Sequence, residues 1–227
     1  MIPIRDENPT HSAPVVTITL IAVNVLVFIW QLVLPPDGAE AAVYSLGLVP
    51  AVLFGSAELP ADIRTVPALM TPITSMFLHG GFLHLAGNML YLWVFGDNIE
   101  DRMGPGRFLL FYVLCGIAAA FAQALFDMDS RIPMIGASGA VSGVLGAYLL
   151  LYPRTPVLVA IPLFIVLYTF HVPAVIVLGI WFVGQLLSSL AQAGEAGVAF
   201  RAHVGGFVAG LLLIRLFARS SRPSRFY

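Results

Sequence analysis

The stretch Thr155–Pro173, TPVLVAIPLFIVLYTFHVP, decides how the rest of this chain of 227 residues is arranged. It opens a window, residues 155–194, that carries no Asp, Glu, Lys or Arg and at 40 residues could hold two membrane crossings. A spanning helix needs about 20 predominantly apolar residues. Against two crossings stand Pro156, Pro162 and Pro173, because proline inside a helix costs about 3 kcal/mol. The residues between Pro156 and Pro173 are also rich in β-branched side chains. The stretch is therefore expected to be interfacial or re-entrant, with a single true helix starting near Val172.

Composition sets the class around that stretch. Hydrophobic residues make up 59% of the chain and charged residues only 10%, against about 25% charged in an ordinary soluble domain. So few charges cannot coat a water-facing surface, and disorder needs the opposite balance. The net charge of −1 and the lack of a basic cluster in the apolar body exclude nucleic acid as a partner. The single Cys115 excludes an internal disulfide or a multi-cysteine metal site.

Charge-free windows at 8–36, 65–96, 108–126, 132–153 and 155–194, with a shorter one at 202–214, mark the helices. Crossings are expected near 14–34, 82–97, 106–126, 138–152, 172–191 and 202–218. The fold expected is all-α, a polytopic membrane bundle of six helices forming one domain over residues 1–227, with a short basic tail at 219–227. Residues 35–70 read as a mixed linker whose apolar piece Val49–Phe54 forms a half-buried interfacial helix. The run at 14–34 is longer than the ~7–15 residues of a signal-peptide core, and its leader is not net positive, so it reads as a retained span.

Every basic residue is arginine. With six crossings, Arg5, Arg102, Arg107, Arg154, Arg215, Arg219, Arg222 and Arg225 share one side, and Arg64, Arg131 and Arg201 share the other. That bias places both termini in the cytoplasm.

Polar groups inside spans are costly and default to functional candidates. His84 and Asn88 stand four apart, on one face of the second helix. Ser138 opens the fourth helix and His203 the sixth. All three helices begin on the outer side, so their polar groups converge at one depth. A full crossing within 155–171 would instead put His203 on the side opposite Ser138. Small neighbours in Gly136-Ala137-Ser138-Gly139 leave backbone N–H groups free beside a serine at a helix N-terminus, where donors can hold an oxyanion. Gly206 and Gly210 form a GxxxG face beside His203, and Ser138, Ser142 and Gly146 repeat small residues every fourth position, allowing close helix approach. Taken singly, Ser138 would read as a helix-packing residue and His203 as an interfacial histidine; their convergence argues for a nucleophile and its base. His79 is expected to brace the loop before the second helix, and Glu100 and Arg102 to anchor the turn after it. Gln185 either packs or faces the interior.

These segments carry a resemblance that covers nearly the whole chain. His79-Gly80-Gly81-Phe82-Leu83-His84-Leu85-Ala86-Gly87-Asn88, Glu100-Asp101-Arg102-Met103-Gly104, Gly136-Ala137-Ser138-Gly139 and Ala202-His203-Val204-Gly205-Gly206 resemble, in order and spacing, the rhomboid family of intramembrane serine proteases. The resemblance implies Ser138 as nucleophile, His203 as general base in a dyad without an acidic third member, and His84 with Asn88 at the oxyanion. It implies cleavage of membrane-protein substrates near the outer face of the bilayer, with no cofactor and no metal. One departure is Ser142, where several family members carry an aromatic residue that packs on the base histidine. The alternatives are a rhomboid-like pseudoprotease that escorts membrane proteins, whose typical members lack the serine or the histidine, and a small transporter, which would want polar residues across the midplane. The sequence does not specify an oligomeric state.

Overall fold

The computed structural model describes residues 1–163, 166–191 and 200–218. The basic tail expected at 219–227 lies outside these residues. The chain opens with a strand, β1 (Ile2–Asp6), followed by α1 (Val15–Val33). The inward face of α1 carries Thr17, Leu20, Asn24 and Phe28, all buried, while Leu26, Ile29, Leu32 and Val33 are exposed. This pattern is the reverse of a water-facing helix: polar groups turn inward and apolar ones face out.

The linker folds into α2 (Pro36–Leu46), the short α3 (Pro50–Leu53) and α4 (Thr71–Thr74), the last set between single 3₁₀ turns. α3 falls within the Val49–Phe54 piece expected to be a half-buried helix. Its neighbour Leu48 exchanges backbone hydrogen bonds with Met134 (3.0 and 2.8 Å), which ties the linker to the loop before Ser138.

α5 (Phe82–Met103) and α6 (Pro105–Ala124) meet at Gly104. Its φ of +83° turns the chain sharply in a region that favours glycine, and Pro105 starts the next helix at the position where proline is tolerated. Glu100, expected at this turn, instead reaches α1. Its carboxylate accepts from the Val16 N–H (2.8 Å), the Thr17 N–H (2.7 Å) and the Thr17 hydroxyl (2.8 Å). An anion on free N–H groups at a helix N-terminus is well matched to the dipole there.

α7 (Ser138–Leu151) is followed by the stretch that decides the topology. Here the all-α expectation is corrected. The stretch expected to be interfacial or re-entrant forms two paired strands, β2 (Pro156–Leu163) and β3 (Val166–Pro173), and β1 joins them to give the antiparallel order β1-β2-β3. The β-branched and aromatic side chains that disfavour a helix fit a pleated strand. Pro162 lies beyond the part of β2 that pairs with β1 (Val157–Ala160), where a missing N–H is tolerated. Pro156 pairs with Pro173, and the Ala174 N–H donates to the Thr155 carbonyl (2.9 Å), so the excursion begins and ends at the same place. One helix, α8 (Ala174–Ala191), then leads towards α9 (Phe200–Phe217).

Among the described residues, α1, α5, α6, α7, α8 and α9 coincide with the six expected helices to within a few residues, α5 running on to Met103. Three of them, α1, α6 and α9, are long and apolar enough by length and composition to cross a membrane. α7 and α9 touch backbone to backbone. A Cβ added at Gly206 would lie 2.0 Å from the Gly139 carbonyl oxygen, and one at Gly210 would lie 1.9 Å from that of Gly143. The α7 surface that meets α9 is thus Gly139, Gly143 and Gly146, displaced by one residue at its start from the Ser138/Ser142/Gly146 row read in the sequence.

Candidate active site

A cavity of about 950 Å³ opens between α5, the loop before α7, α8 and α9, lined among others by His84, Asn88, Ser138, Trp181, Gln185 and His203. Each polar side chain arrives by a separate local cause. Ser138 is the first residue of α7, so its backbone N–H falls among those without an intrahelical acceptor. Gly136, at φ +122°, lets the loop pass so close to His84 that a Cβ there would sit 2.7 Å from the imidazole Nε2. His203 enters from the first turn of α9, drawn to Ser138 by the glycine contact of the two helices.

The His203 Nε2 lies 2.7 Å from the Ser138 Oγ, and the His203 Nδ1 lies 2.5 Å from the Gln185 Oε1. His203 is buried and Ser138 half-buried. Ser142, one turn after Ser138, is fully buried and donates its hydroxyl to the Ser138 carbonyl (2.6 Å). The imidazole instead has the Trp181 ring at 6.1 Å, tilted by 33°, and the Phe200 ring edge-on at 6.2 Å.

His84 and Asn88 face the same cavity. The Gly80 N–H donates to the His84 Nδ1 (3.3 Å), so in a neutral ring the proton sits on Nε2, the atom beside Gly136. The Asn88 Nδ2 donates to the His79 Nε2 (3.0 Å), which fixes the amide with one N–H still available. His79 braces this corner. Gln31 of α1 accepts from its backbone N–H (3.0 Å) and donates to its carbonyl (3.3 Å). Burial, with His84 adding to it, pushes the His79 imidazole down to about 4, so it stays neutral and can accept from Asn88.

The structure therefore brings Ser138, His203, His84 and Asn88 to one cavity. Two glutamines hold the histidines; the sequence reading missed Gln31 and left Gln185 open between packing and facing the interior. Their signal was present: Gln31 shares one face of α1 with Thr17 and Asn24 at seven-residue spacing, and Gln185 stands one turn after Trp181 in a helix whose other polar side chains are Ser188 and Ser189. Among the described residues no cluster of three metal-ligating side chains occurs. As arranged, the site can transfer a proton from a serine hydroxyl to an imidazole and offer N–H donors to an oxyanion.

A family profile described as the Rhomboid domain matches residues 67–220. The chain is 32% identical over 192 residues to "Rhomboid protein 1, mitochondrial" of Saccharomyces cerevisiae, covering 75% of this chain and 51% of that protein. It is 48% identical over 81 residues to "Rhomboid protease GluP" of Bacillus subtilis, covering 36% of this chain and 15% of that one. It is 30% identical over 155 residues to "Rhomboid protease AarA" of Providencia stuartii, covering 60% and 50%. The match thus spans about half the length of these relatives, or less.

Proposed function

The chain belongs to the rhomboid family, and from that premise we propose that it is an intramembrane serine endopeptidase acting on membrane-protein substrates through a dyad of Ser138 and His203. The observation that carries the reading is the 2.7 Å contact of the His203 Nε2 with the Ser138 Oγ at the floor of the cavity. In this reading the Ser138 Oγ attacks the scissile carbonyl carbon as its proton passes to the His203 Nε2. The carbonyl oxygen becomes an oxyanion and accepts hydrogen bonds from the Ser138 N–H, the His84 Nε2–H and the Asn88 amide. The intermediate collapses, the C–N bond breaks, and the leaving amine takes the proton from His203. Water, deprotonated by the same imidazole, then releases the acyl group and restores the Ser138 hydroxyl.

The protein is an integral membrane protein, and the proposal extends to its arrangement in the bilayer. Residues 1–227 form one membrane domain in which α1, α5, α6, α7, α8 and α9 each cross. Both termini, with the basic tail, are cytoplasmic, and the catalytic cavity opens near the outer face. The arginine bias supports that orientation, and the paired ends of β2 and β3 support a single crossing thereafter. Hydrolysis needs water, which reaches an outer-face cavity more readily than the bilayer midplane, and the substrate must unwind locally to expose its peptide bond.

The test is a cleavage assay of the purified chain with a panel of single-span substrates. Ser138→Ala and His203→Ala are each expected to lose measurable turnover while still inserting and purifying, and a fluorophosphonate is expected to tag Ser138 and not the buried Ser142. Turnover in Ser138→Ala comparable to the parent would refute the reading.

A further inference from the structure

We propose that Gln185 is the positioning residue of the base: its side-chain carbonyl accepts the Nδ1 proton of His203 and so holds the imidazole in the tautomer whose Nε2 can take the proton of Ser138. The inference rests on the protease reading above and adds to it a third side chain, supplied by α8.

The geometry forms a relay in one direction. The Gln185 Oε1 stands 2.5 Å from the Nδ1, and on the far side of the same ring the Nε2 stands 2.7 Å from the Ser138 Oγ. A neutral imidazole carries one proton on its two nitrogens, and an amide oxygen can only accept. Placing the proton on Nδ1 therefore leaves the Nε2 lone pair facing the serine hydroxyl. The opposite tautomer would present an N–H to Ser138 and could not act as a base.

The same helix supplies the packing. Trp181 stands one turn before Gln185, on the same face of α8, with its ring 6.1 Å from the imidazole. Ser142, on the helix of the nucleophile, carries no ring to pack on the imidazole, and its hydroxyl donates to the Ser138 carbonyl. Among the described residues no carboxylate is hydrogen-bonded to His203. A neutral amide suits the position: it orders the ring without placing a desolvated negative charge in an apolar helix. The Gln185 amide has two faces, and only the one presenting oxygen to Nδ1 is productive. A carboxylate at the same place presents an acceptor from either face, so Gln185→Glu keeps the function while a side chain of similar shape without an acceptor loses it.

The experiment compares the parent, Gln185→Leu, Gln185→Met, Gln185→Glu and Ser138→Ala as purified full chains, reading kcat and KM on a single-span substrate and the rate at which a fluorophosphonate tags Ser138. Gln185→Leu and Gln185→Met are expected to lower kcat by about tenfold to a hundredfold, the loss of one orienting hydrogen bond and of the fixed tautomer. KM stays at the parent value, and tagging slows by the same factor per folded molecule. Gln185→Glu is expected to restore both rates to the parent's order of magnitude. Parent-like kcat and tagging in Gln185→Leu, a loss confined to KM, or a Gln185→Glu as slow as Gln185→Met would each overturn the proposal while leaving the Ser138 reading intact. A parent that neither cleaves nor is tagged would overturn both.

Discussion

Gly206→Ala adds a single methyl group, and the structure states what that methyl must displace. An alanine Cβ at this position would lie 2.0 Å from the Gly139 carbonyl oxygen and 2.9 Å from the Gly139 carbonyl carbon, both backbone atoms of α7. Backbone in the first turn of a packed helix cannot rotate away as a flexible side chain can. Reaching the 3.4 Å at which ordinary contact begins requires about 1.4 Å of extra separation between α7 and α9. Gly206 is one turn from His203, and Gly139 is the residue after Ser138, so the separation falls where the dyad forms. A shift of that size, passed in full to the 2.7 Å contact of Nε2 and Oγ, opens it to about 4 Å, beyond hydrogen-bond reach. The cost in stability is about 1–3 kcal/mol, the usual range for overpacking, and the loss in turnover is about 10²–10⁴, the contribution of a positioned general base. The assay pairs a thermal midpoint in detergent with kcat on a single-span substrate. Gly106→Ala, on the helix face where an added Cβ meets nothing within 4 Å, serves as the control and is expected to keep both values. A Gly206→Ala protein with the parent's midpoint and the parent's kcat would refute the argument that backbone contact of α7 and α9 sets the dyad distance.

Two further outcomes follow from groups away from the cavity. Glu100→Ala removes the acceptor of three hydrogen bonds at the start of α1 and is expected to lower the thermal midpoint by several degrees, for a loss of about 3 kcal/mol in charge-assisted bonding; an unchanged midpoint would show that water replaces the carboxylate at no cost. Burial raises Asp6 of β1 from 3.8 to about 6, with the nearby Asp97 carboxylate also raising it and the Tyr148 hydroxyl opposing. An acid raised in the folded state stabilises it when protonated, so this contribution is present in full below the ordinary value of 3.8 and is lost as pH rises through about 6. Hydrogen exchange of the β1 amides, corrected for intrinsic rate, should therefore quicken across that window in the parent and stay level in Asp6→Asn; a level profile in the parent would remove Asp6 as the cause.

Much of the architecture is legible along the chain because the bilayer imposes local rules. Long apolar segments carry little charge, so the charge-free windows mark where α1, α5, α6, α7, α8 and α9 lie without reference to any contact, although α5 runs past its window through Asp97, Glu100, Asp101 and Arg102. Within those windows each polar residue is costly unless something satisfies it, which is why His84, Asn88, Ser138 and His203 stand out, and the glycines of α9 announce that another backbone comes close. The prolines of Thr155–Pro173 likewise argue against a helix in that stretch. They do not say what the segment becomes. That depended on residues 2–6, which pair with β2 from more than 150 positions away, and a strand's hydrogen-bonding partner leaves no mark in its own periodicity. The hydrogen bonds that orient the site are equally non-local. Gln31 reaches His79 across 48 positions and Gln185 reaches His203 across 18. The sequence marks each glutamine as out of place in an apolar helix; only the packed bundle decides which backbone or ring lies opposite it, because a hydrogen bond needs both a partner and a direction, and both come from how the helices are set against one another.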